Sequence, residues 1–174
     1  MLNVLFLCTH NSARSILSEA LLNHLDAQSA TPGRFRAHSA GSSPRENQQP
    51  HPLALEVLQS AGVSTEGLCS KGWEVFSEPG APAMDLIITV CDNAAGEACP
   101  IWPGHPATAH WGYPDPSEGD APEAQKREAF RQSLHAIRHR LKLLMGLPPE
   151  KLHKTLLQDS ARGLSSHGAP GVSP

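Results

Sequence analysis

Cys8 and Arg14 stand with five residues between them in Cys8-Thr9-His10-Asn11-Ser12-Ala13-Arg14-Ser15, directly after the apolar stretch Leu2 to Leu7. A loop of that length closes on a tetrahedral oxyanion. The backbone N–H groups of Thr9 to Arg14 point inward, the Arg14 guanidinium clamps two oxygens, and the Cys8 sulfur sits at the base. Arginine suits that contact because its planar fork meets two oxygens of a phosphate-like group at once. A thiol is the better nucleophile as thiolate, and its free pKa of about 8.5 falls to roughly 3.5–7.5 at a helix N-terminus or beside cations. The helix start near Ala13 and the Arg14 side chain are both placed to lower that of Cys8, and Ser12 or Ser15 can hydrogen-bond the sulfur. Cys8 alone would read as a structural cysteine ending a strand; the arginine and serine at this spacing favour chemistry.

Two further stretches carry reactive groups. Cys91 and Cys99 have seven residues between them, too many for the C-x2–4-C spacing of a structural zinc site. The spacing fits a flexible loop in which one thiol reaches an inner site and the other reaches solvent. In His110-Trp111-Gly112-Tyr113-Pro114-Asp115-Pro116, a carboxylic acid near the loop can protonate a departing oxygen, help worth about 10²–10⁴-fold. An ordinary Asp-Pro turn is the plain alternative. His135 and His139 lie at i,i+4, but Arg138 and Arg140 beside them indicate a solvated helix face. Trp73 and Phe76 read as core residues, and Cys69 as structural.

The elements that must position these groups alternate. Leu2 to Leu7 is continuously apolar, as in a strand buried on both faces of a parallel sheet. Ile16, Leu17, Ala20, Leu21 and Leu25 then mark a helix over about 13–26. Phe35 to Ala40 reads as a second strand ended by Gly41, and Pro52 opens a second helix ending at Gly62. The spacing predicts a short helix over Cys69 to Phe76, a strand over Met84 to Val90 and a fourth over Thr108 to Trp111. A long amphipathic helix follows Pro122 and stops at Gly146 and Pro148–Pro149. Residues 150–162 read as one more surface helix, and 163–174 as disordered. The sum is an α/β three-layer sandwich with a four-stranded parallel sheet, a domain over 1–147 and an extension over 148–174 that is partly helical, then disordered. Sites in such sheets form at the carboxyl ends of strands, so Cys8, Cys91 and the Asp115 loop should converge.

Bulk properties agree with one small-molecule domain. The chain has 174 residues, 14 basic and 17 acidic, a net charge of −3 and no long run of either sign. Neither nucleic acid nor an anionic membrane is an expected partner. The apolar N-terminal run is too short for a signal-peptide core and lacks a basic lead-in. No segment approaches the ~18 apolar residues of a membrane span. Four scattered cysteines suit redox or catalytic chemistry in the cytoplasm better than a disulfide scaffold.

The loop resembles that of the low-molecular-weight protein tyrosine phosphatases and of the arsenate reductases built on the same fold, whose usual pattern is C-x-G-N-x-x-R-S. The resemblance covers about residues 2–146. It implies that Asn11 holds the loop in shape and that Ser15 stabilises the thiolate. His10 replaces the common glycine and would be strained if that position required a positive φ. The Cys91–Cys99 segment looks like the redox segment of the arsenate reductases, in which a second cysteine attacks the nucleophile's sulfur and a third resolves the disulfide. The 110–116 stretch is similar to their H-W-G-aromatic-x-D-P segment, which gives Asp115 the acid role. Phosphatases of this fold usually carry aromatic residues just after the Asp-Pro; Ser117 and Glu118 stand there instead. Some relatives bind potassium through Asn, Glu, Ser and Asp. Asn11, Glu19 and Ser39 match, but Lys71 takes the place of the Asp, so no metal is expected.

The resemblance thus implies reduction of arsenate to arsenite through a covalent adduct on Cys8. No cofactor is bound, and an external thiol reductant takes part. Thioredoxin is the first expectation, because three cysteines are available for a relay. The Cys91–Cys99 spacer is about one residue longer than in the thioredoxin-coupled members, which leaves glutathione with glutaredoxin open. The alternatives are a phosphatase hydrolysing phosphate monoesters through a phosphocysteine and a non-catalytic oxyanion sensor.

Overall fold

The computed structural model describes residues 1–91, 104–152 and 154–166. Four parallel strands form one sheet: β1 (Leu2–Cys8), β2 (Phe35–Gly41), β3 (Leu86–Thr89) and β4 (Ala107–His110). Their order is β2-β1-β3-β4. Among the described residues the α-helices are α1 (Arg14–Gln28), α2 (Pro52–Ser60), α3 (Glu123–Met145) and α4 (Lys154–Gly163). Parallel strands need crossovers; α1 lies in the one from β1 to β2, and α2 in the one from β2 to β3. No helix among the described residues is long and apolar enough to cross a membrane.

β1 is central because its sequence tolerates burial on both faces: Val4, Leu5, Phe6 and Leu7 are fully buried. The pleat separates them. Val4, Phe6 and Cys8 face a large core with Ile16, Leu17 and Leu21 of α1, Leu58 of α2, and Phe130 and Leu141 of α3. Leu5 and Leu7 face a smaller core with Ala40, Ile87, Phe76 and Met84. In register, Cys8 lies beside Gly41 of β2, and Leu7 lies beside Thr89 of β3. β1 therefore ends between two neighbouring strands at the switch point of the sheet, the place where such folds bind ligands.

Two expected elements differ. The helix over 69–76 is only a 3-10 turn at Trp73–Phe76. The residues before it are committed elsewhere: Gly72 bridges Gly41, and the Lys71 carbonyl accepts from the Gly41 N–H at 2.8 Å. The surface helix over 150–162 divides into a 3-10 turn at Pro149–Leu152 and α4, and Leu164–Ser166 adds a further 3-10 turn where disorder was expected. Leu164 is buried in the large core, which orders that turn. Residues 167–174, also expected to be disordered, lie outside the described residues.

The α1–β2 connection rests on one carboxylate. Asp26 accepts the backbone N–H groups of Gly33 at 2.7 Å, Arg34 at 3.1 Å and Phe35 at 3.0 Å. It is itself buried, so these donors replace the water it loses. Asp26→Ala strands three N–H groups and should cost about 2–4 kcal/mol in urea unfolding, with the oxyanion loop's chemistry unchanged in the folded fraction.

Candidate active site

The loop after β1 turns on Asn11, whose backbone sits at φ 54°, in the left-handed region. Asparagine accepts that conformation more readily than most side chains because its short amide bonds locally. The strain foreseen for His10 does not arise: His10 is not among the positive-φ residues, and the turn falls one position later. The turn brings the Asn11 N–H to 3.2 Å from the Cys8 sulfur. The Asn11 amide donates to Ser15 Oγ at 2.8 Å, and Ser15 Oγ lies 2.9 Å from Cys8 Sγ. The Ser15 hydroxyl thus joins the Asn11 amide to the Cys8 sulfur.

A second shell of bonds holds this turn from outside. Ser70 Oγ donates to the Asn11 carbonyl at 2.6 Å, and the Lys71 N–H donates to Asn11 Oδ1 at 3.0 Å. The Thr9 carbonyl accepts from Ser43 N–H at 2.9 Å, and the Ser12 carbonyl accepts from His51 N–H at 2.8 Å. Gly41 lets the loop lie against β2: a Cβ there would stand 2.7 Å from the Thr9 carbonyl oxygen and 3.0 Å from the Asn11 nitrogen. The Lys71 ammonium donates to the carbonyls of Ser39 at 3.0 Å and Cys69 at 2.9 Å. Glu19 accepts from Ser39 Oγ at 2.8 Å. Burial pushes the Glu19 carboxyl up, and the Lys71 charge opposes that. Asn11, Glu19, Ser39 and Lys71 thus form one cluster behind the loop.

Ala13 precedes α1 without a side-chain cap, and no acidic residue occupies the first turn. The helix N-terminus is left to an anion. Arg14 is held beside it: one terminal nitrogen donates to the Tyr113 carbonyl at 2.9 Å and the other lies 3.8 Å from Asp115 Oδ2. Its buried Nε has no partner among the described residues. Asp115 Oδ1 accepts from the Ser117 backbone at 2.9 Å and from Ser117 Oγ at 2.7 Å.

The resting protonation states run opposite to the simplest expectation. Burial raises the Cys8 thiol, and neighbouring Cys91 adds to this, against the lowering pull of the Ser15 and Asn11 hydrogen bonds. The Arg14 guanidinium is turned to Tyr113 and Asp115. Burial also acts to raise Asp115, but the two Ser117 hydrogen bonds, Arg14 and His51 outweigh it and hold the carboxyl below the usual range. The two shifts bias the thiol toward its protonated form and the carboxyl toward its ionised form.

Cys91 is buried at the end of β3, its sulfur 3.6 Å from Thr9 Oγ1. The structure therefore brings together Cys8, the Thr9–Ser15 loop, Asp115 and Cys91. Cys99 lies outside the described residues, as does the rest of its loop from 92 onward. Cys69 is exposed, and His135 and His139 face solvent on α3. Ser70, the Tyr113 carbonyl, His51 and the close approach at Gly41 were not foreseen. Each acts through backbone bonds between distant segments, which leave no spacing pattern to read.

Residues 3–159 match the family model described as low molecular weight phosphotyrosine protein phosphatase. The arsenate reductase of Bacillus licheniformis is 30% identical over 140 residues, covering 80% of this chain and 91% of that protein. Among solved structures, the arsenate reductase of Archaeoglobus fulgidus matches with a TM-score of 0.61 at 26% identity, over 83% of this chain and 99% of that one. The thioredoxin-dependent arsenate reductase of Corynebacterium glutamicum matches with a TM-score of 0.51 at 27% identity, over 82% of this chain and 63% of that one.

Two outcomes follow from the loop geometry. Gly41→Ala pushes the loop off β2 and should weaken phosphate binding, read by calorimetry, by about tenfold or more, with a smaller loss of fold stability. Ser15→Ala removes a hydrogen bond that favours the Cys8 thiolate. The pH midpoint of Cys8 alkylation, already above that of an ordinary thiol, should move further to alkaline pH.

Proposed function

The chain belongs to the low molecular weight phosphotyrosine protein phosphatase family, and from that premise we propose that it reduces arsenate to arsenite through a relay of cysteine thiols. One observation carries the choice between reduction and hydrolysis: a second buried thiol, Cys91, packed against the nucleophile's own loop. A phosphatase does not need it. The arsenate reductases among the relatives support the same reading.

In the resting site Cys8 holds a proton and Asp115 lacks one, so binding of hydrogen arsenate can redistribute a single proton. Arg14 keeps one terminal nitrogen on the Tyr113 carbonyl and offers its buried Nε and its other terminal nitrogen to the substrate oxygens, and the α1 N-terminus takes part of their charge. The Cys8 proton passes by way of Asp115 to an arsenate oxygen, which leaves as water while the Cys8 sulfur bonds to arsenic. The Ser15 hydroxyl and the Asn11 N–H steady the sulfur as its charge changes. The Cys91 sulfur then attacks that of Cys8. The sulfur–arsenic bond breaks, its electron pair goes to arsenic, and arsenite departs with the Cys91 proton, leaving a Cys8–Cys91 disulfide. Cys99 attacks Cys91, freeing Cys8 as a thiol, and an external thiol reductant reduces the Cys91–Cys99 disulfide. Thioredoxin is the reductant this reading assigns, on the likeness to the thioredoxin-dependent Corynebacterium glutamicum enzyme. Glutathione with glutaredoxin is the alternative. The thiol cycle suits the reducing cytoplasm.

Purified protein with arsenate, supplied in turn with the thioredoxin system and with glutathione plus glutaredoxin, tests the assignment. Cys8→Ser should abolish turnover. Cys91→Ser should lose multiple-turnover arsenate reduction by about 10³-fold or more while keeping any hydrolysis of an aryl phosphate, since that route needs one thiol alone. Phosphate-ester hydrolysis with no arsenate reduction under either reductant would make the protein a phosphatase.

A further inference from the structure

The C-terminal segment packs against the residues that lead to Asp115. Trp111, fully buried just after β4, donates its indole N–H to the Ala161 carbonyl of α4 at 2.8 Å. Arg162 donates to the Thr108 carbonyl at 3.2 Å, tying α4 to the outer strand β4. Arg140 of α3 is 1% exposed, so its guanidinium has left bulk water almost entirely. One of its nitrogens donates to the Ser165 carbonyl at 2.9 Å, another lies 3.5 Å from the Gly112 carbonyl, and the group stands 4.7 Å above the Tyr113 ring. A buried guanidinium is costly unless such acceptors meet it. Here the acceptors belong to the C-terminal turn and to the segment leading to Asp115, so satisfying the charge fixes the two together.

Tyr113 passes the constraint inward. Its ring lies under Arg140, its N–H donates to the Val90 carbonyl at 3.3 Å, and its own carbonyl receives Arg14. We propose that residues 154–166 act as a strap that sets Arg14 and Asp115 for the oxyanion through Tyr113, with Arg140 and Trp111 as positioning residues. The strap rests on the reading above, in which Arg14 and Asp115 serve a bound oxyanion. Loosening it leaves the Cys8–Asn11–Ser15 bonds in place and frees the Arg14 side of the site.

The test uses the full chain. Ala161→Glu introduces a carboxylate at a fully buried position beside Trp111 and should undock α4. Arg140→Met removes the guanidinium, Arg140→Lys keeps a single charged donor, and Trp111→Phe keeps a ring without the N–H. Calorimetry with inorganic phosphate, arsenate reduction kinetics, and mass-spectrometric rates of iodoacetamide reaction at Cys8 are measured on each. Expected are about tenfold weaker phosphate binding and a matching fall in kcat/KM for Ala161→Glu and Arg140→Met, with partial recovery in Arg140→Lys. Trp111→Phe should lose about threefold and serves if the harsher variants do not fold. The neutral reagent's rate at Cys8 should stay within about twofold, since the bonds to the sulfur are not part of the strap. Unchanged phosphate affinity in folded variants, or an equal change in the Cys8 rate, overturns the strap. If the unaltered protein reduces no arsenate and the variants still lose phosphate affinity, the assigned reaction fails and the strap stands.

Discussion

The site depends on a single backbone conformation. A loop that carries an N–H toward the sulfur at its base needs one residue turned into the left-handed region, which costs of order 1 kcal/mol for a residue other than glycine. Asn11 offsets that cost with every polar group it has: its N–H meets Cys8, its amide nitrogen meets Ser15, its amide oxygen meets Lys71 and its carbonyl meets Ser70. Glycine could adopt the same φ but would leave Ser15 and Lys71 without their amide partner. The same bonds explain why residues 70–72 do not form the helix their apolar spacing suggests.

Around that turn, protonation is arranged as a difference between two groups. The thiol is raised by burial, and the carboxylate is lowered by Ser117, Arg14 and His51 against the effect of its own burial. In the proposed reaction such a site holds one transferable proton and one vacancy for it, so the arrival of an oxyanion starts the chemistry without drawing a proton from solvent. Cys91 acts on the Cys8 thiol in the same direction as burial.

The sequence made the catalytic edge legible because strand–loop–helix patterning is local. The continuous apolar run of β1, the change of period at α1 and the short run of β3 each announce their ends, and Cys8, Cys91 and Asp115 lie just beyond such ends. What could not be read was decided by distant partners. The segment before Trp73 was taken from a helix by Gly41 and Asn11. The positive φ fell on Asn11 and not on His10, because the register of the turn is set by Ser70 and Lys71. The thiol's direction of shift turned on its burial, which outweighs the Ser15 and Asn11 hydrogen bonds. The order at Leu164–Ser166 comes from burial against elements far earlier in the chain.

Lys71 places the cation behind the loop on a covalent leash. An ion drawn from solution would fill that position in proportion to its concentration, whereas a side-chain ammonium is present once per molecule at every ionic composition. The loop's internal charge is thereby independent of dialysis and dilution. The same leash exposes it to another kind of loss: a single acyl or carbamoyl group on Nζ would abolish the charge and leave one N–H for the two carbonyls of Ser39 and Cys69, and no added salt would restore the cation.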